Sequence, residues 1–246
     1  MLLLIIGLFL LIICIIIIIV YFLSSKSRNI DTSTRYDEIK DQLQTGDIML
    51  FVCIKHSNKI DDMLYYSRTR MIGSDYGHVG LVLREGEKLY MVECTDANHC
   101  AEEQSYHLND YGLGGVRIID LDILVDVYTK EYGGIFAVKH ISKAIPNEMF
   151  YDAIHKHSNK IFENKQYLTI MLIASLFIPS DILKFFTPDP MYDNKIYCSE
   201  MVYAVLRDCG VLAEYNQKLF WPYLFTNKIF DNLQLIPYSD VITFKL

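Results

Sequence analysis

The chain has 246 residues, of which 52% are hydrophobic and 22% charged, with a formal net charge of −7. No Lys/Arg cluster interleaves with aromatic residues, so the electrostatic footprint of a nucleic-acid binder is missing and nucleic acid is not an expected partner. The six cysteines show no paired CxxC spacing, so free thiols in a reducing compartment are the simpler reading, although an even count also admits disulfides.

Leu2 to Leu23 are almost entirely Leu, Ile, Val and Phe without a charge. Such a run can cross a hydrocarbon core of about 30 Å at roughly 1.5 Å per residue. It predicts a single-pass transmembrane anchor over residues 1–24, with the lipid bilayer as a partner of residues 2–23. A cleaved signal peptide is the competing reading. Against it, the run exceeds the usual apolar length of about 7 to 15 residues and no basic residue precedes it. Lys26 and Arg28 follow the span, which places the remainder on the cytoplasmic side or inside a virion.

Residues 25–44 read as a polar tether followed by a short helix from Tyr36 to Leu43. Residues 45–246 carry no repeat and no Pro, Gly or Ser-rich linker, which predicts one globular domain. Thr45, Gly46 and Asp47 turn the chain into Ile48 to Val52, a continuous apolar run that reads as a buried strand. In this reading Asp47 bonds nearby backbone rather than acting as an acid. Lys59 to Arg70 reads as a helix.

Tyr76 to Leu83 and Lys88 to Glu93 are β-prone runs flanking a polar segment with Gly86, the pattern of a hairpin. Loop length decides which side chains meet. A two-residue turn at Glu85 and Gly86, or a four-residue loop from Arg84 to Glu87, sets His78 directly opposite Glu93. A three-residue loop sends Glu93 to the other face. In the first case the Cβ atoms are about 5 Å apart and Glu93 can accept the Nδ1 proton of His78.

A polar loop follows to Asn109. Val116 to Leu121 and Gly134 to His140 read as strands and Glu148 to Asn164 as a helix. Tyr167 to Ile178 is a core helix, with membrane contact as the competing reading. Trp221, Pro222, Phe225 and the Ile236 to Phe244 region read as late strands. The overall pattern is α+β.

Between these lies Ile196 to Val202. From Ser199 onward Met201, Val202, Val205, Leu206 and Cys209 recur at helical spacing and Gly210 supplies a stop. Cys198 therefore falls at a helix N-terminus, where unsatisfied N–H groups and the helix dipole favour a thiolate, the nucleophilic form of cysteine. A cysteine hydrolase needs that thiolate, a histidine to hold and then donate the proton, and a group fixing the imidazole tautomer. Cys198, His78 and Glu93 fill those roles, and the Cys198 N–H would face a developing oxyanion. Each residue has a plainer alternative: a packed cysteine, a core histidine, a strand-end charge. Cys94, His99, Cys100 and His107 raise zinc, but lack paired ligand spacing, so neither metal nor cofactor is expected.

The Gly46-Asp47-Ile48 turn, Gly77-His78-Val79-Gly80 on a strand, Glu93 on the next, and Tyr197-Cys198-Ser199-Glu200 opening a helix resemble the permuted papain-like proteins of the NlpC superfamily. The similarity is to their YiiX-like group, which has bacterial and poxvirus members. It covers roughly Gly46 to Gly210. It implies a circularly permuted papain-like fold whose antiparallel sheet packs on the nucleophile's helix, with Cys198 as nucleophile, His78 as base and Glu93 as orienting residue. It also implies hydrolysis or transfer at an amide, ester or thioester acyl carbon. Where that family carries Gly-x-x-Tyr-Asp, Asn164 to Tyr167 lack the Gly and the Asp. Two functions follow: a membrane-anchored thiol hydrolase or acyltransferase acting on a peptide, lipid or lipidated substrate, or a non-enzymatic membrane or virion protein that keeps the fold for binding or structure.

Overall fold

The computed structural model describes residues 30, 32–52, 74–95, 105–108, 114–162, 194–215 and 220–246. Lys59 to Arg70 and Tyr167 to Ile178, both read as helices from sequence, lie outside the described residues.

The strands in chain order are β1 (Thr34–Arg35), β2 (Ile48–Val52), β3 (His78–Glu85), β4 (Lys88–Thr95), β5 (Ser105–His107), β6 (Gly115–Asp120), β7 (Ile135–Lys139), β8 (Ile161–Phe162), β9 (Lys195–Ile196) and β10 (Ile242–Lys245). The helices are α1 (Tyr36–Ile39), α2 (Leu121–Tyr132), α3 (Asn147–His155), α4 (Cys198–Asp208) and α5 (Lys228–Leu233). Among the described residues eight strands form one sheet in the order β1-β10-β7-β2-β3-β4-β6-β5, and β8 pairs with β9 separately. Within the large sheet every pairing is antiparallel except β1 with β10.

The continuous apolar run of β2 is explained by cover on both faces. Ile48 and Leu50 join one core with Val79, Leu81, Val92, Val116 and the inner face of α4. Met49 and Phe51 join a second core with Val82, Met91, Ile119, Phe136 and the inner face of α2. The sheet is thus the middle of three layers, a mixed α+β arrangement. In α4 the residues Met201, Val202, Val205 and Leu206 are fully buried. Each such side chain contributes about 1.5–3 kcal/mol relative to exposure.

Helix α2 fills the connection between the predicted strands at Val116 and Gly134, for which the sequence reading offers no element. Its signals are present. The Asp120 carboxylate accepts from the Asp122 and Ile123 amides, Gly133 closes the helix in the left-handed conformation, and Leu121, Leu124, Val125 and Tyr128 form the buried stripe.

Three further expectations change. The helix predicted to reach Asn164 ends at His155, because His157 and Ser158 bond back to Ile154 and His155 in tight turns before β8. Pro222 opens a 3₁₀ segment, Pro222–Thr226, rather than a strand, since it presets helical φ and offers no N–H to a ladder. The late strand is confined to Ile242–Lys245.

The hairpin register also shifts. Leu81 faces Val92 and Glu85 faces Lys88, so the two-residue turn is Gly86 and Glu87, with Gly86 at φ 60. Moving the turn by one residue moves the register by two, which preserves the face of every side chain. Continued toward the strand end, this pairing sets Glu93 opposite Gly80 and makes it a diagonal rather than a direct neighbour of His78.

The transmembrane helix is corrected. Among the described residues no helix is long and apolar enough to cross a membrane. The longest, α2, has 12 residues; at about 1.5 Å per residue this falls well short of a core of about 30 Å. Residues 2–23, on which the expectation rests, lie outside the described residues. The single-pass localisation with a cytoplasmic domain is withdrawn with it.

Asp47 locks one end of the central strands. It is fully buried, accepts from the amides of Gln44 at 3.0 Å and Ile141 at 2.9 Å, and lies 2.8 Å from His140 Nδ1. Asp47→Ala strands these donors in a dry environment and is expected to cost about 3 kcal/mol, read as a lower urea midpoint with an unchanged slope.

Candidate functional site

Cys198 is the first residue of α4 and is half-buried. Its approach is set from both sides. Tyr197 adopts extended backbone and stacks on Trp221 at 5.3 Å, while the Cys94 thiol donates to the Ile196 carbonyl at 3.5 Å. The first hydrogen bond of the helix runs from Met201 N–H to the Tyr197 carbonyl. The amides of Cys198 and Ser199 lie ahead of that bond, at the positive end of the dipole.

His78 is the first residue of β3 and pairs with Phe51, whose ring lies 5.2 Å from the imidazole. Its Nε2 is 2.6 Å from Glu93 Oε2. The sequence reading gave the acid to Nδ1, and the diagonal register explains the difference. A diagonal neighbour is roughly 7–8 Å away at Cα, so the distal nitrogen makes the reach. Gly80 leaves the space: a Cβ built there would stand 3.2 Å from Glu93 Cβ, 3.0 Å from the Val92 carbonyl oxygen and 2.5 Å from Met91 Sδ. With Nε2 on Glu93, Nδ1 is the nitrogen left to serve the thiol.

Glu93 and Arg117 are both fully buried. They face each other across β4 and β6, with Arg117 Nε and Nη2 donating to Glu93 Oε1 at 2.9 and 2.5 Å. Each carboxylate oxygen thus meets a different cation. Burial by itself would lower the His78 pKa. That is the largest single influence, but the Glu93 charge, the Cys198 sulfur and the hydrogen bonds to both together outweigh it, and the pKa is pushed up to about 10. The imidazole is a cation at neutral pH, bonded to an acid on one side and to sulfur on the other. Because His78 heads β3 and Cys198 heads α4, the two meet at the rim of the sheet.

The structure therefore brings together Cys198, His78 and Glu93, contributed by α4, β3 and β4. Arg117 is the member that sequence reasoning missed. Its signal was a lone cation inside the apolar run Val116 to Ile119, which needs a buried counter-charge. Glu93 is the matching acid in an equally apolar strand.

The other described thiols differ. Cys94 is fully buried, and burial, with Asp208 adding to it, pushes the Cys209 thiol up to about 12. Of the zinc alternative, His99 and Cys100 lie outside the described residues. Among the described residues no group of three metal-ligating side chains gathers.

Since the His78 pKa is raised on folding, its charge stabilises the native chain fully below pH 6.5, and this contribution is lost as pH rises through about 10. An NMR titration of the His78 ring should show that midpoint, and Glu93→Gln should lower it by about 1–3 units. A midpoint unmoved by Glu93→Gln would contradict the assignment.

No protein-family model matches the chain. An uncharacterized protein of Acanthamoeba polyphaga mimivirus is 39% identical over 230 residues, covering 91% of this chain and 90% of that protein. This agrees with the expectation of viral relatives. A crystal structure titled as the metalloprotein yiiX of Escherichia coli O157:H7 matches 82% of this chain and 96% of its own, at 19% identity and a TM-score of 0.36. A likeness of that size leaves the chemistry to be argued from this chain's own residues.

Proposed function

This chain belongs to the same family as the uncharacterized mimivirus protein, and we propose that it is a cysteine hydrolase or acyltransferase of papain-like type, working on an amide, ester or thioester acyl carbon. The observation that carries the reading is the His78 imidazole, bonded to Glu93 through Nε2 and interacting with the Cys198 sulfur. A histidine held between an acid and a thiol has the geometry and the charge state that acyl transfer requires.

Each step follows from these groups. The Cys198 thiolate attacks the acyl carbon, and the carbonyl electron pair moves onto oxygen. Amides at the start of α4 stabilise that oxyanion, since they precede the first intrahelical bond. As the tetrahedral intermediate collapses, the His78 imidazolium gives its proton to the departing nitrogen, oxygen or sulfur. An acyl-Cys198 thioester remains. His78, now neutral, takes a proton from water or another acceptor, whose attack releases the acyl group and restores the thiolate. Glu93 holds the ring and balances its charge without itself being protonated.

Iodoacetamide at neutral pH, read by site-resolved mass spectrometry, should label Cys198 about a hundredfold faster than Cys94 or Cys209, because thiolate fraction and access govern the rate. His78→Ala should slow Cys198 labelling at least tenfold, and Cys198→Ala should abolish turnover of activated acyl esters. Equal labelling of Cys198 and Cys209, or wild-type ester turnover no faster than that of Cys198→Ala, would favour a binding or structural protein instead.

A further inference from the structure

We infer that Arg117 is a positioning residue of this site, acting on the Cys198 sulfur through Glu93 and His78; the inference rests on the acyl-transfer reading above. The Arg117 guanidinium grips the Glu93 carboxylate, which in turn holds His78. Its fork donates twice to Glu93 Oε1, which commits Oε2 to His78 Nε2. The three side chains sit on three consecutive strands, β3, β4 and β6, so the sheet fixes their spacing.

Net stability is a weak reason for carrying this buried pair in place of apolar residues. Two fully buried charges lose their hydration, and such a pair is often no better for folding than apolar residues of the same volume. The electrostatics give a stronger one. With Arg117 absent, a buried carboxylate would face one imidazolium in a low dielectric. The pair could then neutralise itself by passing the proton from His78 Nε2 to Glu93 Oε2. The ring would be left neutral, the thiolate would lose its counter-ion, and the sulfur would hold its proton to higher pH. Arg117 blocks that transfer by keeping Glu93 ionised, so the proton stays on the ring. Lysine reproduces the charge but not the two-point grip.

The test is the pH dependence of Cys198 alkylation in the full chain, alongside thermal unfolding. In Arg117→Gln the acid limb of the profile should move up by about one pH unit or more, with a matching loss of about tenfold in rate on that limb. Arg117→Lys should move it the same way by less, and it serves as the measured variant if Arg117→Gln does not fold. A merely structural arginine would lower the unfolding temperature without moving the limb. An unmoved limb in the folded variants, with wild-type labelling still fast and dependent on His78, would overturn the role of Arg117 and leave the acyl-transfer reading intact. Wild-type labelling that is neither fast nor dependent on His78 would overturn that reading itself.

Discussion

A carboxylate buried beyond the reach of water organises this molecule. Glu93 is fully buried in the middle of β4, where an unpaired charge would be untenable. It is tolerated because β6 delivers Arg117 on one side and β3 delivers His78 on the other. That requires β4 to lie between those two strands, and the sheet order places it there. It also requires a hole opposite the glutamate, which Gly80 supplies. Sheet order, register and one missing side chain are therefore conditions for the charge, and the charge in turn holds the histidine.

The site is built on strands and a helix start rather than on loops. Neighbouring strands are spaced by backbone hydrogen bonds, so the separations among Arg117, Glu93 and His78 cannot drift without breaking a ladder. The same helix illustrates how position decides a thiol's character. Cys198 opens α4 at the positive end of its dipole beside an imidazolium, whereas Cys209 closes it next to Asp208, where burial pushes its thiol up to about 12.

A second histidine and acid stand at the other end of the central strands, and they make a useful contrast. His140 pairs with Asp47 where β7 ends and β2 begins, and the Asp47 carboxylate also caps the Gln44 and Ile141 amides. The effect of that pair is to tie a turn to the sheet. A histidine beside an acid is thus a structural commonplace. The neighbouring thiol turns His78 and Glu93 into a chemical proposal.

Much of this was legible in the residues themselves. Helical spacing after Cys198 located the helix start and apolar runs located β2, β3 and β4, while the hairpin loop stayed open between even lengths that keep His78 and Glu93 on one face and an odd length that separates them. These are local properties, set by period and turn chemistry. What the tertiary structure alone decided was non-local: which strand lies beyond β4, and hence that Arg117 meets Glu93; that the turn sits at Gly86 and Glu87, and hence that Nε2 rather than Nδ1 takes the acid; and that the late Pro222 segment curls instead of pairing. Strand order and register depend on contacts between residues far apart in the chain, and no periodicity within a segment encodes them.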